Sequence, residues 1–292
     1  MKSLWTKAFM LLFVFALLIP SLVMADAAPG DVIVTLGENL TEEQKQDLLK
    51  EMNVSAEGVQ IISVSNEEEH QYLGNYISGS RIGTNALSST KITITEPGSG
   101  LNVETNNIDW VSEGMYANAL VTAGVEDADI YVTAPSSVSG TAGLTGLIKA
   151  YEIATEIEIP EEQKQIANEE MVKTGELADN IGVEQATELM NRIKEEIAKN
   201  PVESEADLRE LIQRIAGELG ITLTEEELNG LTSLFMRMKD MNIDWNQVQE
   251  QITKVRDNLG EFLNREDTQS FIRTLLDVLN SFIDSIANFF KS

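Results

Sequence analysis

The sequence predicts an α+β protein, with an N-terminal mixed α/β sandwich built on a mostly antiparallel sheet and a C-terminal helical bundle. Short alternating apolar runs separated by turn residues occupy positions 31–135, which is typical of strands. After Ser136 the apolar residues instead recur at intervals of three and four, which is typical of helices. We therefore expect an α+β domain at 28–140 and a helical domain at 141–292.

The first part of the mature chain predicts a strand, a helix and a second strand. Residues 32–36 are apolar or β-branched, and residues 59–64 are similarly rich in Val and Ile. Between them, Thr41 and Gln44 have the spacing of a capping box, in which each side chain binds a free N–H group of the first helical turn. A helix is therefore expected from Thr41 to about Met52.

The next part predicts a hairpin, a short helix and a last strand. Apolar and polar residues alternate at 92–94 and at 101–103, on either side of a Pro-Gly turn at 97–98. This pattern predicts two neighbouring antiparallel strands joined by the turn. A short helix is expected at 114–123 and a strand at 130–132. The order of these elements predicts helices packed on one mostly antiparallel sheet.

The second half predicts about six helices. In one of these segments the apolar residues form a single stripe, as a helix packed on a core requires. Thr224 and Glu227 have the spacing of another capping box, and Pro160 and Pro201 mark helix boundaries. The helices are expected at 141–157, after residue 160, at 204–219, at 224–241, at 244–263 and at 266–290.

The segment 266–290 is the most apolar part of the chain after the N-terminus. The charged side chains of its polar strip are Arg273, Asp277 and Asp284. A helix lying on a membrane surface would instead carry several lysines and arginines there. Burial in the core is therefore favoured over membrane contact, and a face for self-association or for a protein partner is the alternative.

Residues 1–25 have the three parts of a secretory signal peptide. Two lysines precede an apolar run at 8–19, and small residues follow at the two positions that signal peptidase reads. The mature chain would then begin at Asp26 or, with an alternative cut, at Ala28. An uncleaved membrane anchor is the alternative. We expect an exported protein, extracellular or associated with the cell wall, with no membrane span once the signal is removed.

The composition excludes several classes of function. Asp and Glu number 48 against 21 Lys and Arg, a formal net charge of −27, which excludes a nucleic-acid-binding protein that depends on phosphate contacts. The chain has no cysteine, which excludes disulfides and thiolate chemistry. His70 is the single histidine, which excludes a histidine-based zinc site. We expect no cofactor and no dedicated metal site, only weak calcium binding by carboxylates such as Asp127.

The polar segment from Glu104 to Thr141 supplies the candidate ligand-binding residues, which are Asn106, Asp109, Asp129, Ser137 and Ser139. Polar side chains on loops between strands are the usual place for function on a rigid scaffold. The loop before Thr141 also leads into a helix start, where free N–H groups can hold an anionic or hydroxyl-rich ligand. A single site requires Asn106, Asp109, Asp129 and Ser139 to converge on one concave surface. The alternative is that they only cap helices and shape turns.

Gly140, Gly143 and Gly146 are spaced by three residues at the start of the helix expected at 141–157. Neither a phosphate-binding loop nor a dinucleotide-binding fingerprint has this spacing. Close packing of the helix against its neighbours is therefore favoured, and binding of an anion at the helix start is the alternative.

The chain resembles a known family at four motifs. These are LNVETNNIDW at 101–110, MYANALVTAG at 115–124, APSSVSGTA at 134–142 and MNIDW at 241–245. They are similar to motifs of the YpuA-like proteins, exported proteins of Gram-positive bacteria that form the domain-of-unknown-function family one thousand and two. The resemblance implies export and a cell-envelope setting, and it implies no catalytic residues.

Two classes of function remain open. The favoured one is a non-catalytic binding or structural module of the envelope, whose partner is an unidentified envelope component or protein. The alternative is an exported hydrolase that uses a pair of carboxylates. A pocket holding two acids with pKa values pushed apart would favour the hydrolase, whereas a flat acidic surface would favour the module.

Overall fold

The computed structural model describes residues 28–264, apart from positions 56 and 242. The predicted signal peptide at 1–25 and the predicted terminal helix at 266–290 lie outside the described residues. The described part of the chain contains one five-stranded sheet and ten helices.

The sheet is mixed. Its strands are β1 (Val32–Gly37), β2 (Gln60–Val64), β3 (Ser89–Ile94), β4 (Leu101–Ile108) and β5 (Ala128–Val138), and they lie in the order β2-β1-β3-β5-β4. β1 is parallel to β2 and β4 is parallel to β5, whereas β3 runs antiparallel to its neighbours β1 and β5. The prediction of a mostly antiparallel sheet is therefore wrong, because two of the four strand pairs are parallel.

β3 and β4 do not form the predicted hairpin, because β5 lies between them. Ile130 of β5 pairs with Ile92 on one side and with Val103 on the other. The physical reason is burial. Ile130 and Val132 are almost completely buried, which suits a central strand, whereas β4 exposes Glu104, which suits an edge strand.

Ten helices surround this sheet and extend beyond it. They are α1 (Glu42–Glu51), α2 (Asn66–Leu73), α3 (Gly79–Ile82), α4 (Glu113–Ala123), α5 (Thr141–Thr155), α6 (Glu161–Ile181), α7 (Val183–Lys199), α8 (Glu205–Glu218), α9 (Glu225–Asp240) and α10 (Trp245–Asn264). The capping boxes predicted at Thr41 and Thr224 are confirmed. A third capping box, formed by Ser65 and Glu68, starts α2, a helix absent from the expectations above.

Helices cover both faces of the sheet. On one face, α1 packs Leu48 into a cluster with Val34 of β1. On the other face, α4 and α5 contribute Tyr116 and Leu144 to a larger cluster that includes Ile92. Consecutive residues of a strand point to opposite faces, so a strand covered on both sides reads as a continuous apolar run, as β1 does.

The larger cluster also joins the sheet to helices of the second half. It includes Met171 of α6 and Ile252 of α10 together with residues of β3 and β5. A separate cluster holds α6 to α9 together and includes Leu189 and Phe235. Residue 140, where the sequence predicts a domain boundary, lies at the start of α5, a helix that packs directly on β1 and β3.

Two glycines of α5 allow this close packing. A Cβ atom added to Gly146 would lie 2.5 Å from Thr35 Oγ1, and one added to Gly143 would lie 2.6 Å from Tyr116 Oη. Both distances are well below van der Waals contact, so any larger residue would push α5 away from its neighbours. The interpretation of the glycine spacing as close helix packing is confirmed.

Candidate functional site

Two of the predicted site residues meet where β4 and β5 end. Ser137 Oγ donates a hydrogen bond to Asp109 Oδ2 at 2.7 Å, and the backbone N–H of Asp109 donates to the carbonyl oxygen of Val138 at 2.9 Å. β4 and β5 are parallel, so their carboxyl ends lie at the same edge of the sheet. The sheet topology therefore brings Asp109 and Ser137 together.

Asn106 and Asp129 lie apart from this pair and from each other. Asn106 Nδ2 donates to Glu51 Oε1 at 2.9 Å, and Thr133 Oγ1 donates to the same oxygen at 2.7 Å. Asp129 precedes Thr133 by four residues on β5, which is about 13 Å along a strand. Asp129 accepts instead from Asn102 Nδ2, at 3.4 Å.

Ser139 lies near a buried carboxylate. Its Oγ is 3.0 Å from Thr141 Oγ1, and Thr141 Oγ1 in turn donates to Glu69. Burial raises the pKa of Glu69, while hydrogen bonds from Thr141 and Asn66 act in the opposite direction. A carboxyl group of the protein itself thus contacts the first residue of α5, and it would repel an anionic ligand there. Of the five predicted residues, only Asp109 and Ser137 are hydrogen-bonded to each other.

A cleft of about 590 Å³ opens beside Asp109. It lies between the turn from β4 to α4, the first half of α7 and α10. Its volume falls within the range of about 300–1,000 Å³ that is usual for small-molecule sites. Asp109 is the only one of the five predicted residues that lines it. The other lining residues include Glu113, Asn118, Thr187, Asn191 and Arg256.

Four buried polar atoms around the cleft have no hydrogen-bond partner among the described residues. They are Trp110 Nε1, Asn118 Nδ2, Thr187 Oγ1 and Asn191 Oδ1. Buried polar atoms are normally paired, and leaving one unpaired costs about 1–3 kcal/mol. Their concentration around one cleft makes it the candidate ligand site of the described residues.

The cleft is acidic. Asp109, Glu113, Glu184 and Glu188 contribute four carboxyl groups against the single guanidinium of Arg256, so the formal charge of the lining is 1 − 4 = −3. Arg256 is already paired with Glu188, at 3.2 Å. This balance favours a ligand with an ammonium or other cationic group and disfavours an anion.

Glu113 is a carboxyl group with a raised pKa inside this cleft. Burial raises the pKa, the nearby charge of Glu104 adds to the rise, and hydrogen bonds from Thr105 oppose it. The backbone N–H of Thr105 donates to Glu113 Oε1 at 3.2 Å. A carboxyl that keeps its proton to higher pH is able to act as a general acid.

A buried ion pair contacts the backbone of Asn118, one of the residues that line the cleft. Lys194 Nζ is 2.5 Å from Glu170 Oε1, and it donates to the carbonyl oxygen of Asn118 at 2.9 Å and to Thr122 Oγ1 at 2.8 Å. The Lys194 and Glu170 side chains are 1% and 0% exposed. Burial raises the pKa of Glu170 and lowers the pKa of Lys194, although each charge favours the ionised form of the other. The ammonium group therefore anchors the backbone of α4 at Asn118.

The sequence contains a signal for this ion pair, namely two charged residues at apolar positions of helices. Lys194 occupies an apolar stripe of α7, between Met190 and Ile197, and Glu170 lies four residues after Ile166 on α6. Lys and Glu at such positions are almost never fully buried unless they are paired. This pattern locates the two charges, but it does not show that they meet.

The fold and the cleft define an α+β protein with one mixed sheet and helices on both faces. Its cleft is acidic, and residues that line it have buried polar atoms without hydrogen-bond partners. Residues 36–255 match the family described as "Protein of unknown function (DUF1002)". Over its whole length of 292 residues the chain is 48% identical to "Uncharacterized protein YpuA" of Bacillus subtilis (strain 168), with 100% of both chains covered. The chain therefore belongs to the DUF1002 family, which confirms the resemblance to YpuA-like proteins. No solved structure matches it.

Between residues 28 and 264 there is no helix that is both long enough and apolar enough to cross a membrane. Within the same part of the chain, no three His, Cys, Asp or Glu side chains are grouped so as to hold a metal ion.

Proposed function

We propose that this protein is an exported binding protein of the cell envelope, and that its cleft holds a short peptide with a free ammonium group. One observation carries the proposal: four unpaired buried polar atoms surround an acidic cleft of ligand size. Export and the envelope setting rest on the sequence pattern of residues 1–25 and on the family resemblance.

The unpaired atoms favour a ligand that both donates and accepts hydrogen bonds. Asn118 Nδ2 and Trp110 Nε1 are donors, which suit a carbonyl group, whereas Asn191 Oδ1 is an acceptor, which suits an N–H group. A peptide unit carries both of these groups. The excess of carboxyl groups adds a preference for an ammonium group. A short peptide with a free amine satisfies all of these preferences, whereas a phosphate or a sugar acid does not.

Calorimetric titration of the purified mature protein tests this proposal, with tripeptides of lysine and alanine as probes and their N-acetylated forms for comparison. Asn118→Leu removes the amide nitrogen that has no hydrogen-bond partner and nearly keeps the size of the side chain. Because the bound peptide would lose that hydrogen bond, the variant should bind roughly tenfold or more weakly. Thr187→Val should weaken binding for the same reason.

Thr95→Val is the matched control. Thr95 Oγ1 is also buried and unpaired, but Thr95 does not line the cleft. The control variant should therefore bind the peptide as the wild-type protein does. Absence of binding for every peptide, or equal binding by the Asn118 and Thr187 variants, would show that only water fills the cleft and would overturn the proposal.

An exported hydrolase that uses a pair of carboxylates is the second candidate, and the raised pKa of Glu113 in a cleft that also contains Asp109 favours it. Mass spectrometry of the peptide after incubation with the protein separates the two. A peptide that remains intact supports a binding protein. Cleavage by the wild-type protein that disappears in Glu113→Gln supports the hydrolase, with Glu113 as its general acid.

A further inference from the structure

A second cavity, of about 200 Å³, lies between α2, α5 and α6. It shares no lining residue with the cleft, so the inference drawn from it does not depend on the proposed function. The polar and charged residues that line it include Glu68, Thr145, Lys149, Glu152, Lys164 and Asn168.

Unpaired polar atoms concentrate around the two cavities. Within the described residues, eight buried side-chain polar atoms have neither a hydrogen-bond partner nor an ion-pair partner. Four of them belong to residues that line the cleft, and two, Thr145 Oγ1 and Asn168 Oδ1, belong to residues that line the second cavity. The other two belong to Thr95 and Gln251. Six of these eight unpaired atoms thus belong to residues that line one of the two cavities, although buried polar atoms are normally paired.

The two unpaired groups of the second cavity belong to almost completely buried residues. Thr145 is 5% exposed and Asn168 is 1% exposed. Asn168 Nδ2 donates to the carbonyl oxygen of Lys164 at 2.8 Å, which fixes the amide so that Oδ1 is the free acceptor. The hydroxyl of Thr145 is able to donate or to accept. A ligand in this cavity therefore needs at least one N–H or O–H donor.

The charges of the cavity lining balance. Lys149 Nζ is 2.6 Å from Glu68 Oε1, and Lys164 Nζ is 2.8 Å from Glu152 Oε1, so two cations oppose two anions. A net anion or a net cation would gain little from such a lining, whereas a molecule with both charges is attracted at both of its ends. The Lys149 and Glu68 side chains are about one-third exposed, so this pair lies at the solvent side of the cavity.

We propose that the second cavity is a binding site for a small zwitterion, namely a free α-amino acid. The ammonium group of the ligand donates to Asn168 Oδ1 and Thr145 Oγ1, and its carboxylate accepts from Lys149 or Lys164. The size agrees, because a cavity of about 150 Å³ accepts benzene, which has six non-hydrogen atoms, and this one is larger.

Calorimetric titration of the purified mature protein with individual free L- and D-amino acids tests the proposal. The matched probes are the corresponding α-hydroxy acids, which lack the ammonium group, and the corresponding primary amines, which lack the carboxylate. At least one amino acid should bind, and both of its analogues should bind roughly tenfold or more weakly, because each loses a charged hydrogen bond.

Thr145→Val and Asn168→Leu remove the two unpaired groups at nearly constant shape. Each should weaken amino-acid binding roughly tenfold. Thr145→Val should leave the melting temperature of the ligand-free protein unchanged or raise it, since the hydroxyl that it removes has no partner. Thr145→Ser keeps the hydroxyl and should retain binding. Thr95→Val, outside both cavities, and Thr187→Val, in the cleft, should bind the amino acid as the wild-type protein does.

Three results would overturn the proposal. The first is that no amino acid binds, so that the cavity holds water only. In the second, the hydroxy acids bind as tightly as the amino acids, which would make the cavity an anion site. The third is that the Thr145 and Asn168 variants bind as the wild-type protein does, which would place the amino acid elsewhere. Peptide binding in the cleft is measured separately, with the Asn118 and Thr187 variants, so failure of one proposal does not imply failure of the other.

Discussion

Lys194 and Glu170 are two opposite charges removed from water, and each is tolerated because of the other. Taking a single charge into a protein interior is unfavourable by several kcal/mol, and the partner charge and hydrogen bonds only offset that penalty. Thr122 and the carbonyl oxygen of Asn118 supply the remaining contacts of the ammonium group. The pair therefore specifies how α4, α6 and α7 fit together more than it adds to stability.

Lys194→Met is expected to lower the free energy of unfolding by about 3–5 kcal/mol, because it leaves Glu170 buried without a counter-charge. The double variant Lys194→Met with Glu170→Leu should lose much less, because no buried charge remains. Urea unfolding measures both values. Lys173→Met is the control: the side chains of its ion pair with Glu176 are 30% and 47% exposed, so it should change stability by no more than about 1 kcal/mol. Equal losses in the single and the double variant would contradict this account.

Glu69 should make stability fall as the pH rises. Burial raises its pKa above the ordinary value of 4.5, so between the two values the folded protein holds a proton that the unfolded chain has released. The free energy of unfolding therefore decreases with rising pH across that window, and the loss remains above it. Glu69→Gln has no proton to lose. Its stability relative to the wild-type protein should grow as the pH rises past about 4.5, as urea unfolding at a series of pH values would show.

Glu227 provides a control in which stability should change with pH in the opposite direction. Its pKa is lowered, because hydrogen bonds from Thr224 and Asn180 outweigh the effect of partial burial. It therefore stabilises the fold above its ordinary pKa, and this stabilisation is lost as the pH falls through the lowered pKa. Glu227→Gln should be less stable than the wild-type protein at neutral pH, and the difference should shrink in acid. The same pH trend in both variants would show that neither carboxyl has the environment described.

The helices and strands were predictable to the extent that they depend on neighbours in the sequence. The capping boxes at Thr41 and Thr224 use side chains three residues apart, so the printed sequence contains everything that forms them. The position of β5 between β3 and β4 does not depend on sequence neighbours, because Ile130 pairs with residues far away in the chain. The Pro-Gly turn at 97–98 could therefore predict a hairpin that the sheet does not contain.

The candidate site was predictable only in part for the same reason. Asp109 and Ser137 meet because two parallel strands end together, and the polar segment contains both. The cleft also needs α7 and α10, whose contributions come from Thr187, Asn191 and Arg256. No local pattern connects those helices to the turn after β4, since only the packing of the chain brings them there.

The packing of α5 on the sheet leads to a prediction at the scale of elements. Gly146→Ala should destabilise the protein by about 1–3 kcal/mol, because the new methyl group would collide with Thr35 and Val64. Gly217→Ala, in α8, is the matched control: nothing lies within 4 Å of the added Cβ, so the better helix propensity of alanine should stabilise by about 0.5–1 kcal/mol. Thermal unfolding of the two variants should therefore shift in opposite directions. A stabilised Gly146 variant would mean that α5 lies further from the sheet.

Across the whole molecule, the formal net charge of −27 bears on the proposed location in the cell envelope. An acidic protein is repelled by polyanionic polymers of a cell wall unless divalent cations bridge the two. The acidic cleft adds to this field and attracts cationic ligands from the surroundings. If the protein is exported as proposed, the same charge disfavours tight attachment to such polymers and favours the binding of small basic molecules.

Export itself is the last prediction. In a Gram-positive host that expresses the full chain, N-terminal sequencing of the protein in the medium and wall fractions should find Asp26 or Ala28 as the first residue. Ala25→Lys is the matched control, because residue 25 precedes the first cut directly and lies three residues before the second, where signal peptidase requires a small side chain. This variant should keep its signal and remain with the membrane. A wild-type protein that still begins at Met1 and fractionates with the membrane would show instead that residues 1–25 are an uncleaved anchor.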